Sequence, residues 1–350
     1  MRIGWGLIGF GGMGGWHMRN IMESIPELEV IGAYDIRPET YEGLPEGVVG
    51  YPTLQALLDD DRIALVTVAT PNNFHKDLVI ACLKAGKHVV CEKPVAMDAA
   101  ELEAMRAMAE CCGKTFSIHQ NRRWDRDYLM VRHLLAEGDL GQPYFIESRV
   151  QGSRQSMHGW RGHRENGGGM IYDWGIHLFD QLLDLIPSPV VSVLCQAKNV
   201  HNDEVDDSFK AILQFENGVS ALVEIATNCF INLPRWHISC PGGTIEIKDW
   251  QCNGSVVRLN TDAEMGWDDE IVYTDAGPTR TMAPRPKETL AVSPLPDLKG
   301  DWTEYYRNLV GVLAGTQTLI VTPEQGLRVM RVVDAAFASV KSGQSVACRI

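Results

Sequence analysis

Three short stretches of this sequence hold side chains able to move protons or steady charge. Glu92-Lys93-Pro94 follows one apolar run and Thr70-Pro71-Asn72-Asn73-Phe74-His75 follows another. Asp173-Trp174-Gly175-Ile176-His177 comes just after the glycines Gly167–Gly169. A histidine, with an unperturbed pKa of about 6.5, can take or give a proton near neutrality. A lysine ammonium can donate a hydrogen bond to a developing alkoxide. An aspartate can orient either group and balance its charge. On a helix, Asp173 and His177 share one face, since neighbours four apart do. Each residue also has an ordinary reading: Lys93 as a solvated surface lysine, Asp173 as a helix cap, His177 as a core histidine.

A fourth stretch addresses a phosphate rather than a proton. Gly9-Phe10-Gly11-Gly12-Met13-Gly14 fits G-x-G-x-x-G. With 33 glycines in the chain the pattern alone means little, so its context carries the weight. It follows an apolar strand at Ile3–Ile8 and opens a helix at Met13–Ser24. Gly9 would make the tight turn, Gly11 would let backbone approach a pyrophosphate, and Gly14 would allow close helix–strand packing. Asp35 stands at the end of the next strand, 21 residues after Gly14. A carboxylate there accepts hydrogen bonds from both ribose hydroxyls and repels a 2′-phosphate, so NAD is expected over NADP. Arg37 could meet such a phosphate and pulls the other way.

The elements that must hold these residues alternate over the first 118 positions. Strand patterns at Ile3–Ile8, Leu28–Tyr34, Ala64–Ala69, Lys87–Cys91 and Thr115–Ile118 are separated by helical patterns at Met13–Ser24, Leu54–Leu58, Asn73–Ala85 and Asp98–Cys112. Ala64–Ala69 is apolar on both faces, as a central parallel strand is. The alternation predicts a doubly wound parallel sheet. Lys93 and Thr70–His75 would then lie at strand carboxyl ends, where ligands bind in such sheets. After Gln120 the rhythm changes. Helices at Asp127–Glu137 and Ile171–Ile186 and a strand at Tyr144–Gln151 lead into strand patterns at 190–199, 208–215, 219–227, 235–240, 244–248, 255–260 and 270–273. Asn217-Gly218 marks a hairpin. Residues 276–300, with Pro278, Pro284, Pro286, Pro294 and Pro296, read as a long loop with little regular structure. Helices at 301–315 and 323–342 close the chain. The expectation is α/β followed by α+β: a dinucleotide-binding Rossmann domain over 1–119, and over 120–350 a domain with a large, mostly antiparallel, open-faced sheet.

Composition narrows the partners. Lys+Arg total 32 against 45 Asp+Glu, a net charge of −13, which disfavours a phosphate backbone as partner. No apolar run reaches the roughly 18 residues that span a bilayer, and the N-terminus shows no signal peptide. Nine cysteines, an odd number without a C-x-x-C pair, fit reduced thiols in a cytoplasmic protein. Gln155–Glu165 holds His158, Trp160, Arg161 and His163, but the histidine spacing suits no metal, and none is expected. Serine-hydrolase, zincin and P-loop patterns are missing.

Taken together, the glycine fingerprint, Ala69–Asn72, Glu92-Lys93-Pro94, Asn121-Arg122-Arg123, and Gly167–Gly169 with Asp173 and His177 resemble the Gfo/Idh/MocA family (glucose–fructose oxidoreductase and inositol dehydrogenase). The resemblance covers essentially the whole chain. It implies a catalytic set of Lys93, Asp173 and His177 and hydride exchange between a nicotinamide cofactor and a secondary hydroxyl or keto carbon of a sugar, glycoside or polyol. The residues expected at the cofactor are Gly9, Gly11, Gly12, Met13, Gly14, Asp35, Arg37, Thr70, Pro71, Asn72, His75, Glu92, Lys93, Arg122, Trp160 and Arg161. At the substrate they are Lys93, Arg123, Trp124, Tyr172, Asp173 and His177. Trp124, Trp160, Trp174 and Trp236 could offer apolar faces to a sugar ring. The segment Asn121–Asp127 and the proline-rich loop suggest a branch acting at C3 of a glycoside. The family also implies a homo-oligomer formed through the open sheet face. Chemically, removal of a hydride from an alcohol needs a base for the hydroxyl proton, which suits His177, and a donor to the oxygen, which suits Lys93. The sequence leaves open which of the two holds the proton at each step. Two other readings stay open: a redox-assisted glycosidase on the same scaffold, and a non-enzymatic NAD-binding protein.

Overall fold

A computed structural model of the chain describes residues 2–153, 157, 159–260, 271–279 and 285–350. Gln155, His158 and Pro284, named above, lie outside the described residues. The first sheet consists of β1 (Ile3–Ile8), β2 (Leu28–Tyr34), β3 (Val49–Gly50), β4 (Leu65–Val68), β5 (His88–Cys91) and β6 (Phe116–Ile118). They lie in the order β3-β2-β1-β4-β5-β6, and each neighbouring pair is parallel. Helices α1 (Gly12–Ser24), α2 (Leu54–Leu58), α3 (His75–Lys84) and α4 (Ala99–Cys112) make the crossovers. All four residues of β4 are buried, which explains its unbroken β-branched and apolar run. The chain winds outward in both directions from β1, so the loops after β1 and β4 part and leave a crevice at their carboxyl ends.

The second half carries α5 (Arg126–Glu137), β7 (Phe145–Gln151), α6 (Ile176–Leu185), β8 (Val190–Lys198), β9 (Ser208–Phe215), β10 (Ser220–Ala226), β11 (Trp236–Cys240), β12 (Gly243–Ile247), β13 (Gly254–Leu259), β14 (Val272–Thr274), β15 (Gly277–Thr279), β16 (Leu290–Ser293), α7 (Thr303–Leu313), α8 (Pro323–Ser342) and β17 (Val346–Ala347). Nine of these strands form one sheet in the order β16-β13-β12-β11-β7-β10-β9-β8-β17. Only the β7–β10 pair is parallel. Along β9 buried and exposed residues alternate, as they must when one face is covered and the other meets solvent. The expected open-faced, mostly antiparallel sheet is therefore present. Among the described residues no helix is long and apolar enough to cross a membrane.

Three features depart from the sequence reading. The proline-rich stretch is not all loop: β15 pairs with β14, and β16 pairs with β13 as the outer strand of the large sheet. The four residues of β16 and the three of β15 are too few for alternation to register. The expected helix 171–186 begins as a wide π turn over Ile171–Gly175, and regular α structure starts at Ile176. Finally, α7 and α8 return to the first sheet. Tyr305 Oη donates to Ser117 Oγ at 2.9 Å, and Ser117 Oγ donates to the Val321 carbonyl at 2.9 Å. At Gly326 on α8 a Cβ would stand 2.0 Å from Ile118 Cδ1 of β6. Periodicity marks such helices as amphipathic but does not say which sheet they cover.

Candidate active site

The loops after β1, β2, β4 and β5 enclose a cavity of about 730 Å³. Its walls include Gly9, Gly11, Gly12, Met13, Asp35, Arg37, Thr70, Pro71, Asn72, Glu92 and Lys93, with Trp160 and Arg161 coming from the second half of the chain. Gly9 adopts φ +92°, and a Cβ at Gly14 would stand 1.9 Å from the Gly9 carbonyl oxygen, so both positions demand glycine. Added at Gly11 or Gly12, a Cβ would meet nothing within 4 Å. The N-terminus of α1 thus opens on the crevice with no side chain capping it, a ready site for a pyrophosphate. Asp35 marks the β2 end. Its carboxylate accepts from the Phe10 amide at 2.8 Å and from the Arg37 amide at 2.9 Å, with Arg37 Nε at 3.3 Å. The lining, the glycine cradle and this carboxylate fit a dinucleotide laid across the strand ends.

At the other end, Lys93 reaches from the loop after β5 to the π turn of the second half. Its Nζ donates to Asp173 Oδ1 at 2.9 Å and to the Asp173 carbonyl at 3.0 Å. Arg161 Nε donates to the same carboxylate oxygen at 3.4 Å. Burial alone would raise the Asp173 carboxyl, but the Lys93 and Arg161 charges outweigh it and hold it below the usual range. His177 follows one turn later. Its Nδ1 lies 3.1 Å from Gln120 Oε1, which assigns the proton to Nδ1 and leaves Nε2 with its lone pair. Burial, then the nearby Lys93 and Arg122 charges, push the His177 imidazole well below 6.5. The arrangement offers a neutral imidazole beside an ammonium fixed by a carboxylate.

Other expected residues sit elsewhere. His75 is fully buried beside the crevice, with Nδ1 2.9 Å from the Pro94 carbonyl and Nε2 2.9 Å from the Thr70 carbonyl, so it ties two loops together. Arg123 is buried and makes a two-point ion pair with Asp180 at 2.6 and 2.7 Å, out of reach of a substrate. Trp124 packs edge-on against Tyr305. Tyr172 donates its hydroxyl to the Met97 carbonyl and rests on Phe337. Trp236 is fully buried, with Nε1 donating to Asp127 at 2.8 Å, so it is core and not a sugar platform. The Gly167–Gly169 cluster serves the protein's own packing: Cβ atoms there would strike Asn72, the Arg161 carbonyl and Asp206. Arg122 does not line the cavity. It lies over Trp174 at 4.2 Å with Trp250 at 5.7 Å, and pairs with Asp125 at 2.8 Å. Since Trp174 touches the His177 ring edge-on, this stack forms a wall next to the imidazole.

Sequence reasoning missed Gln120, Trp250, His17, His119 and Tyr306. Glu92 accepts on Oε1 from His17 Nε2 at 2.7 Å and faces His119 Nδ1 at 2.8 Å. Tyr306 Oη lies 2.7 Å from His17 Nδ1. The one available signal was position. His17 stands one turn into the glycine-opened helix, and His119 and Gln120 stand just past a strand's carboxyl end.

Residues 3–120 match the model of an oxidoreductase family with an NAD-binding Rossmann fold, and residues 128–246 match the GFO/IDH/MocA C-terminal domain. The chain is 28% identical over 351 residues to scyllo-inositol 2-dehydrogenase (NADP+) IolW of Bacillus subtilis, covering 97% of this chain and 94% of that protein. It is 28% identical to myo-inositol 2-dehydrogenase of Thermotoga maritima over 232 residues, covering 64% of this chain and 68% of that protein. Among solved structures, an NAD-binding protein from Listeria innocua superposes with a TM-score of 0.94 at 37% identity, covering 99% of each chain.

Proposed function

The chain belongs to the Gfo/Idh/MocA oxidoreductase family, and from that premise we propose that it moves a hydride between a nicotinamide dinucleotide and a secondary carbinol or keto carbon of a cyclic polyol or sugar. The observation that carries this is the contact of Lys93 with Asp173 beside a neutral His177, at the end of a crevice fit for a dinucleotide. When bound, the nicotinamide ring would accept the hydride from the carbinol carbon, or return it. His177 Nε2 takes the hydroxyl proton, because its imidazole is uncharged at neutral pH. The Lys93 ammonium donates to the substrate oxygen as negative charge develops there. Asp173 keeps Lys93 aimed, and Arg161 restrains Asp173. Run backwards, the same groups return the proton to a ketone.

Two finer choices belong to the same reading. Asp35 favours NAD, because its carboxylate would repel a 2′-phosphate at the β2 end. The name of the B. subtilis relative specifies NADP+, so the preference is one to measure on this protein. The substrate ring would lie against the Trp174–Arg122–Trp250 wall. Inositols head the panel, with C3 of a glycoside as a second arm. A second copy of the chain could cover the solvent face of the nine-stranded sheet, where Phe145 and Ile212 are half exposed.

The test is a panel of inositols, free sugars and glycosides incubated with NAD or NADP and followed by the absorbance of the reduced nicotinamide. Reduced cofactor is expected with a cyclic polyol or sugar. No reduction by any member, in either direction, contradicts the reading. Aglycone released from a glycoside without net reduced cofactor would favour the elimination reading instead.

A further inference from the structure

Glu92 is 5% exposed, yet it lines the crevice beside Lys93. Its environment is built for an anion. Oε1 faces His17 Nε2 at 2.7 Å and His119 Nδ1 at 2.8 Å, and Oε2 accepts from the Lys93 amide at 3.1 Å. The hydrogen-bond directions agree all the way back. Trp5 Nε1 donates to Thr67 Oγ1 at 2.9 Å, and Thr67 Oγ1 lies 3.3 Å from Tyr306 Oη. The Glu92 carboxylate can only accept, so the His17 proton lies on Nε2, His17 Nδ1 accepts from Tyr306 Oη, and Tyr306 Oη is left to accept from Thr67 Oγ1. His119 Nε2 is buried without a partner among the described residues, which fits a proton on Nδ1, also pointing at Glu92. The separations are those of hydrogen bonds. Two ligands about 2.0–2.2 Å from one tetrahedral ion would stand roughly 3.3 Å apart.

The charges around the hydride-transfer end explain why an anion is needed there. Lys93 and Arg161 share Asp173, and Arg122 is paired with Asp125. Those five groups leave one positive charge in excess. His177 is neutral, because burial and the neighbouring cations push it down. Without Glu92 the site would repel a positively charged ring, and with it the site balances. Burial would raise the Glu92 carboxyl, but His119 and His17 outweigh it and hold it well below the usual range.

We infer that Glu92, held by His17, His119 and the Lys93 amide, sets which redox form of the nicotinamide the crevice prefers, by favouring the cationic oxidised ring over the neutral reduced one. The inference rests on the dinucleotide reading above. Tyr306 and His17 are positioning residues, acting through Glu92.

Calorimetric titration of the wild-type protein and of Glu92→Gln with NAD+ and with NADH tests it, with NADP+ and NADPH used if those do not bind. The wild type is expected to bind the oxidised form at least as tightly as the reduced one. Glu92→Gln should weaken the oxidised form relative to the reduced form by about tenfold, a modest share of a unit-charge interaction in a partly buried site. Glu92→Asp, which keeps the charge, should restore most of the ratio. Two results would overturn the inference: a wild type that binds the reduced form tenfold more tightly, or a Gln variant in which both forms weaken equally. The wild-type comparison stands even if Glu92→Gln does not fold. If the wild type binds none of the four nucleotides, the dinucleotide reading falls, and this inference with it.

Discussion

Asp173 holds two cations on one carboxylate oxygen, while His177 remains neutral beside them. In the proposed reaction proton transfer falls to the imidazole and charge stabilisation to the ammonium. Lys93→Ala and His177→Ala should each lower kcat by about 100-fold or more, the usual scale for such groups. Near-normal turnover in both, in steady-state assays on folded protein, would remove the site. Because the His177 pKa lies well below 6.5, alcohol oxidation should stay level as pH falls from 8 through 6.5 and decline only further down. An acid limb in the kcat profile centred at or above 6.5 would contradict the assignment. Asp35→Ala should move the kcat/KM ratio toward NADP, and an unchanged ratio would show that its carboxylate does not reach the ribose. That Lys93, Asp173 and His177 come together was legible, because each is a reactive type beside glycines or a strand end. Gln120 was not: its role exists only through a histidine 57 positions away. Arg123 was misread for a related reason, since its acid partner Asp180 sits on a different helix.

Scaled up to elements, the site depends on how α1 enters the crevice and on the turn that opens α6. Gly14→Ala forces a Cβ to within 1.9 Å of the Gly9 carbonyl, so the start of α1 must shift away from β1. A loss of about 1–3 kcal/mol in stability is expected, together with weaker dinucleotide binding, both measurable by denaturant titration and calorimetry. Unchanged values would mean that the loop yields at no cost. Asp98→Ala is the contrasting case. It removes the cap that accepts the Glu101 amide at 2.8 Å and should cost about 1 kcal/mol without altering nucleotide affinity. The five longer strands of the first sheet could be read directly, because apolar runs are local signals. The two-residue β3 and the four-residue β16 could not, because they are too short for a pattern of buried and exposed residues to show. The π turn at Ile171–Gly175 escaped notice because its sequence also satisfies an ordinary helix.

For the whole molecule, buried titratable groups tie stability to pH. Burial pushes His17, His75 and His177 below 6.5 in the folded chain. The unfolded chain would therefore take up those protons first, and stability should fall as pH drops below about 6.5. Glu92 and Asp173, both held below the usual carboxylate range, add a further loss in more acidic solution. Asp206, pushed up to about 6 by burial, works in the opposite direction, as do Asp125, Asp180 and Asp334, also raised by burial, but the lowered histidines, with His88 among them, and the lowered carboxyls outnumber these four. The Tm should be lower at pH 5.5 than at pH 7.5, and an equal or higher value would contradict the sign. The glycine fingerprint anticipated backbone approach to a pyrophosphate, and the open N-terminus of α1 is suited to that. The return of α7 and α8 to the first sheet was hidden, because it is a matter of tertiary packing; yet it brings Tyr306 to His17 and so to Glu92. All of this converges on hydride transfer at a carbinol carbon. The direct measurement uses a substrate from the panel deuterated at that carbon, with mass analysis of the reduced nucleotide. Deuterium on the nicotinamide, with a slowed turnover, is the expected result; reduced nucleotide without deuterium would contradict it.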